Sequence, residues 1–169
     1  MNNVTNIIVA GLGGQGVLKA TDIVADLAAG AGFDVKKSEI HGMAQRGGSV
    51  TSDVRFGERV FSPMVPEGEA DFLVALAANQ VEVNTFMLSS YGVLIEPSQV
   101  DEKKLRNKRS LNVALLGVLS RHLKFSDEAW IAAIKRNLPE ALHQVNLDAF
   151  YVGQGAVQSV AKDSRTIEG

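Results

Sequence analysis

The sequence reads as an α/β protein: a single three-layer domain with a mostly parallel central sheet and one antiparallel β-hairpin. Three observations predict this class. An apolar β-type run at 4–10 passes through Gly11-Leu-Gly-Gly-Gln-Gly16 into a helical apolar pattern at Val17, Leu18, Ile23, Val24 and Leu27. Two short runs, 71–76 and 92–96, are apolar without alternation, as central strands covered on both faces are. Before them, 49–56 alternates with period two and places Val50, Ser52, Val54 and Phe56 on one face.

The elements follow in order. The first helix is expected over 16–31, ending at Gly32, and a second strand over 33–39. A polar glycine-bearing loop spans 40–48. The strand 49–56 turns at Phe56-Gly-Glu-Arg59 into Val60-Phe-Ser-Pro63, which reads as the second arm of a hairpin. After the strand at 71–76 come a helix over 79–89 and the strand 92–96, closed by Pro97. Apolar stripes predict helices over 111–123 and from a Ser126 N-cap to Asn137, with Asp127 and Glu128 in the first turn. Asn146 is the expected cap of a last helix carrying Leu147, Phe150 and Tyr151, and a polar, frayed tail begins near Lys162. The first two strands are expected to lie side by side, which brings the loops after them together at the carboxyl edge of the sheet, where α/β proteins bind ligands.

Bulk properties narrow the function. The 169 residues suit one domain, residues 1–169, and 46% hydrophobic against 21% charged residues is a globular balance. A net charge of −2 gives no electrostatic reason to expect nucleic acid or an anionic membrane as a partner. No apolar run approaches the ~18 residues of a membrane span, and the N-terminus lacks a signal-peptide pattern. With no cysteine there is no disulfide, no thiol catalysis and no cysteine-ligated cluster on this chain. A cytoplasmic location is expected.

Strand, glycine turn and helix form the context in which G-x-G-x-x-G carries a mechanism: a tight turn, close approach of a ligand or backbone, and free N–H groups at a helix start. Gly11, Gly13, Gly14, Gln15 and Gly16 are therefore candidate contact residues, and a stand-alone nucleotide- or coenzyme-binding protein is one reading. Glu39 stands where a ribose-binding acid would be, about 20 residues past the turn. The unit after it is wrong for a dinucleotide, because a hairpin replaces the expected helix and third parallel strand. The second candidate segment is Ser38-Glu-Ile-His-Gly-Met-Ala-Gln-Arg-Gly-Gly-Ser49, whose His41, Gln45 and Arg46 offer donors for carboxylate or phosphate, with Gly47 and Gly48 beside them.

Other constellations fail on geometry. Ser38 and Glu39 point to opposite faces of a strand, so they cannot both reach His41 as a triad. His41, His122 and His143 are far apart in sequence and no metal-binding spacing occurs. The basic cluster Lys103, Lys104, Arg106, Lys108 and Arg109 has Asp101 and Glu102 beside it and reads as a solvated loop. No self-contained catalytic set emerges.

The segments GLGGQG at 11–16 and SEIHGMAQRGGSV at 38–50 together resemble the gamma subunit of 2-oxoacid:ferredoxin oxidoreductases of the pyruvate/2-oxoglutarate type, and the beta subunit of indolepyruvate ferredoxin oxidoreductase. Val54-Arg-Phe-Gly57 with Ser62-Pro63, Glu69-Ala-Asp71, Asn112, and Asn146-Leu-Asp-Ala-Phe150 before Gly153 fit the same pattern, so the resemblance covers about residues 4–155. It implies a noncatalytic component of an assembly that oxidatively decarboxylates a 2-oxoacid to acyl-CoA and passes electrons to ferredoxin. By resemblance, thiamine diphosphate and magnesium sit on thiamine-binding alpha and beta subunits, and iron–sulfur clusters on a ferredoxin-like subunit. None of these cofactors is expected on this chain. Gly11, Gly13, Gly14, Gln15, Gly16, His41, Gln45, Arg46, Gly47 and Gly48 would then serve as contact residues toward partner chains or coenzyme A. One departure is Ala77-Ala-Asn-Gln-Val-Glu-Val83, which replaces the Leu-Glu-x-x-Glu-Ala segment of indolepyruvate-type relatives and leaves the choice of 2-oxoacid open.

Overall fold

The computed structural model of the protein describes residues 3–41 and 47–166, with side chains as far as Ala156. Two compact units make up the chain, residues 1–96 and 97–169.

The first unit is built on five strands: β1 (Thr5–Leu12), β2 (Asp34–His41), β3 (Ser49–Gly57), β4 (Ala70–Ala75) and β5 (Leu88–Ile95), in the spatial order β2-β3-β1-β4-β5. β4 pairs with β1 and β5 in parallel, whereas β3 runs antiparallel to both β1 and β2. β1, β2, β4 and β5 thus point one way and β3 alone points the other, which fits the mostly parallel sheet with an antiparallel hairpin. β1 lies at the centre, and its Ile7, Ile8, Val9 and Ala10 are buried.

The hairpin is not the one expected. Its arms are β2 and β3, and residues 60–63 form no strand. Nor are β1 and β2 neighbours, since β3 lies between them. The alternating pattern of β3 indicates a half-buried strand but carries no information about which strands flank it.

One face of this sheet carries α1 (Val17–Gly30), which buries Val17, Ala20, Ile23, Val24 and Leu27. Thr21 Oγ1 and Ser52 Oγ share a buried hydrogen bond of 2.9 Å, tying α1 to β3. Beyond α1, Gly32 takes φ +90° and the chain re-enters the sheet. Where a helix over 79–89 was expected, α2 covers only Asn79–Asn84, a 3₁₀ turn follows at Thr85–Met87, and β5 begins at Leu88. β-branched Val81 and Val83 suit either state, so the pattern could not place this boundary.

The second unit holds α3 (Leu111–Ser120), α4 (Asp127–Asn137) and α5 (His143–Thr166). Ser126 caps α4 as expected, its Oγ accepting from the Ala129 N–H at 3.2 Å. Asn146 is not a cap: it lies inside α5 and its Nδ2 donates to Leu142 O at 2.8 Å. The backbone past Lys162 continues α5 to Thr166.

α3 and α5 cross at glycine. A Cβ on Gly153 would fall 1.7 Å from Ala114 O, and one on Gly117 would fall 2.1 Å from Phe150 O. Beside the crossing, Trp130 of α4 packs on Phe150 (ring centroids 5.6 Å apart) and on Phe125 (6.4 Å). Gln154 Nε2, almost fully buried, donates to Ser120 Oγ (3.1 Å) and Asp127 Oδ1 (2.8 Å), so one amide links all three helices. The basic cluster at 103–109 is solvent-facing, with Arg106 Nη1 donating to Asp148 Oδ2 at 2.9 Å. Among the described residues, no helix is long and apolar enough to cross a membrane.

Candidate functional site

At the carboxyl edge of the parallel strands the glycine turn closes on itself. The Leu12 N–H donates to Gln15 Oε1 at 2.7 Å, and the Gln15 N–H donates back to Leu12 O at 3.1 Å. Gln15 therefore builds the turn. So does Gly11, where a Cβ would sit 2.8 Å from Val17 Cγ2 and 3.1 Å from Gln15 Oε1. Gly14 and Gly16 take φ of +88° and +82°, a region where L side chains are strained. Gly13 is not left-handed, and the turn's outer surface is formed by the exposed Gly13 and Gly14.

The second glycine segment lies against the first. The Gly13 N–H donates to Gly48 O at 2.9 Å, and a Cβ on Gly13 would meet Gly47 N at 3.4 Å. Strand pairing explains the approach: Leu12 is opposite Ser49 in the β1–β3 ladder, and His41 is opposite Val50 in the β2–β3 ladder. β3 binds both neighbours, so it draws the two loops together without β1 and β2 touching. Gln45 and Arg46 lie outside the described residues.

His41, Val50 and Gly11 form one row across β2, β3 and β1, so His41 stands two strand spacings, ~10 Å, from the turn. A cavity of about 440 Å³ occupies the gap, lined by Leu12, Gly13, Gly14, Gly16, Val17, Leu18, Lys19, His41 and Val50. Its polarity comes from backbone and cations. α1 starts from a left-handed Gly16 with no side-chain cap, and its first turn holds no acid but does hold Lys19. The helix dipole and Lys19 favour an anion there, and the His41 ring adds an N–H donor. Lys19 carries a signal that sequence reading missed: a cation where helices favour acids.

Glu39, on the same face of β2 as His41, has its Oε2 3.9 Å from His41 Nε2 and its Oε1 3.8 Å from Lys37 Nζ. Lys37 in turn pairs with Asp22 of α1. Ser38 points the other way, so no triad exists. The insertion of β3 also moves Glu39 away from the glycine turn, onto an edge strand, where it cannot serve a ribose bound at β1. The stand-alone dinucleotide reading loses its acid. Among the described residues, no group of three His, Asp or Glu side chains is placed to hold a metal.

Comparison with known proteins agrees with this geometry. The profile of the family "Pyruvate ferredoxin/flavodoxin oxidoreductase" matches residues 6–101, which take in the sheet except for Thr5 at the start of β1. Indolepyruvate oxidoreductase subunit IorB of Methanothermobacter thermautotrophicus is 33% identical, over 89% of this chain and 96% of its own length. The crystal structure of the gamma subunit of keto/oxoacid ferredoxin oxidoreductase from Geobacter sulfurreducens superposes with a TM-score of 0.76 at 25% identity, covering 92% of this chain and 99% of that one. The fold also recurs, at a TM-score of 0.76 and 19% identity, in 2-oxoglutarate:ferredoxin oxidoreductase from Magnetococcus marinus, solved with 2-oxoglutarate, coenzyme A and succinyl-CoA; 94% of this chain aligns with 32% of that longer one. This chain belongs to the pyruvate ferredoxin/flavodoxin oxidoreductase family and is homologous to its gamma subunits.

Proposed function

We propose that residues 1–169 act as one gamma-type module in a cytoplasmic complex that oxidatively decarboxylates a 2-oxoacid, and that the carboxyl-edge cavity contacts the phosphates of coenzyme A. In the overall reaction the oxoacid loses carbon dioxide, its acyl group joins the coenzyme A sulfur, and two electrons pass to ferredoxin. Thiamine diphosphate with magnesium on alpha and beta partner chains would supply the carbon chemistry, and clusters on a ferredoxin-like chain would carry the electrons. The contribution of this chain is to bind and orient.

The observation that carries this reading is the clasp between Gly13 and Gly48 beside the start of α1. Gly14 has nothing within 4 Å of where a Cβ would be, so a phosphate can approach the backbone there. Lys19 and His41 flank that approach, and Arg46 in the same segment would supply a planar pair of donors. Gly11 and Gln15 take a different part: they shape the turn for its neighbours.

Two measurements test the reading. Affinity purification of the chain from its native host should recover thiamine-binding and cluster-bearing proteins in stable ratio, and the recovered complex should oxidise indolepyruvate, the oxoacid for which the Methanothermobacter relative is named, or another 2-oxoacid. In that complex Lys19→Ala should raise the KM for coenzyme A while leaving that for the oxoacid unchanged. A chain that co-purifies with nothing refutes the subunit role. An unchanged KM for coenzyme A refutes the role of the cavity.

A further inference from the structure

Of the residues that α1 buries against the sheet, Thr21 alone is polar; Ala20, Ile23, Val24 and Leu27 make the rest of that face apolar. The Thr21 hydroxyl reaches beyond its own helix. Its Oγ1 donates to Leu18 O at 3.0 Å, with Val17 O at 3.4 Å, and lies 2.9 Å from Ser52 Oγ of β3. A carbonyl oxygen only accepts, so the one hydrogen of Thr21 goes to the helix and Ser52 supplies the hydrogen between the two side chains. Both residues are fully buried.

The bond lies directly beneath the carboxyl-edge cavity. Side chains alternate along β3, so Ser52 shares its face with Val50, and it stands opposite Glu39 of β2 and Val9 of β1. That is one side-chain row from the row of His41, Val50 and Gly11. On α1, Thr21 follows Lys19 by two residues, about 3 Å along the axis, and its hydroxyl holds the Leu18 carbonyl. Val17, Leu18, Lys19, His41 and Val50 all line the cavity. Apolar burial is non-directional and tolerates small shifts, whereas a hydrogen bond fixes distance and angle. The Lys37–Asp22 ion pair also joins α1 to β2, but a long lysine stem follows a shift that two short hydroxyl side chains cannot.

We infer that Thr21 and Ser52 are positioning residues for the cavity: their bond sets α1 along β3, and with it the placement of Lys19 and the start of α1 against His41 and Gly48. The inference rests on the coenzyme A role proposed above. Being fully buried, the two residues act through Lys19 and the helix start rather than on the ligand.

Thr21→Val combined with Ser52→Ala replaces both partners by apolar groups and leaves no buried hydroxyl unpaired, so the melting temperature should stay near that of the wild type. In the assembled complex, calorimetry should nevertheless show coenzyme A bound about five-fold or more weakly, with the KM for the oxoacid unchanged. Thr21→Ser, which keeps the hydroxyl, should bind coenzyme A as the wild type does. Should the double variant fail to assemble, Ser52→Ala carries the same comparison. Wild-type affinity without the bond, where Lys19→Ala does weaken coenzyme A, would overturn the inference and leave the role of the cavity standing. Wild-type affinity in both would overturn the two together. An equal rise in the oxoacid KM, or weakening by Thr21→Ser to the same degree, would assign the effect to packing and overturn the inference as well.

Discussion

Gly14 and Gly16 adopt φ of +88° and +82°, whereas Gly13, two residues from Gly11 in the same turn, does not. The distinction separates backbone need from contact. Gly14→Ala is expected to destabilise the chain by about 1–2 kcal/mol, the cost of a left-handed Cβ, in urea unfolding. Gly13→Ala should change stability by less than about 0.5 kcal/mol, because its Cβ meets Gly47 N at an ordinary 3.4 Å. Asp53 sets a second residue-scale expectation. Burial pushes its carboxyl above the usual 3.8, against the pull of the Val65 N–H and the Arg55 charge. The neutral form is therefore favoured by folding, so its contribution is complete below 3.8 and is lost as pH rises through the elevated value. Asp53→Asn, which can still accept from Val65, should gain stability relative to wild type between a pH below 3.8 and neutrality. Urea midpoints of both chains at the two pH values give the comparison.

At the scale of elements, the crossing of α3 and α5 depends on two missing side chains. Gly153→Ala should cost about 3 kcal/mol or more, since its Cβ would overlap Ala114 O and the helices cannot separate without losing their core. Gly155→Ala, on the same helix with nothing within 4 Å, should instead stabilise by roughly 0.5–1 kcal/mol. Trp130, the only tryptophan and fully buried beside Phe150, reports both through its fluorescence during denaturation. Elements of this kind were partly legible in the sequence. α1, α4 and the apolar strands carry local signals: period, a serine cap, a terminating glycine. Strand order carries none, so the place of β3 between β1 and β2 could not be read. The β-like 60–63 failed as a strand because Asp34 takes the Val60 N–H and Arg55 takes the Ser62 carbonyl, groups that a neighbouring strand would need. The approach of the two glycine segments was anticipated, but for the wrong reason, adjacency of β1 and β2. The self-bonding of Gln15 and the packing of Gly11 were hidden because a motif gives spacing and not the direction of a side chain.

For the molecule as a whole, the proposed subunit role predicts that activity belongs to the assembly. The purified chain alone is expected to be colourless and to oxidise no 2-oxoacid, with activity appearing on addition of the companion chains. Ferredoxin-coupled turnover before and after mixing checks this; turnover by the chain alone would assign the chemistry here. The central position of β1 has a different bearing, on biosynthesis. Of the five strands of the sheet, the earliest translated is the one that needs partners on both sides, and those partners, β3 and β4, are translated later. Until Ala75 has emerged, one edge of a strand with four consecutive buried apolar residues, 7–10, lacks its native neighbour. Such nascent chains are exposed to misassociation. Slow decoding before β4, or loss of a chaperone that shields the first strand, should therefore reduce the yield of soluble subunit even though the finished fold is unchanged.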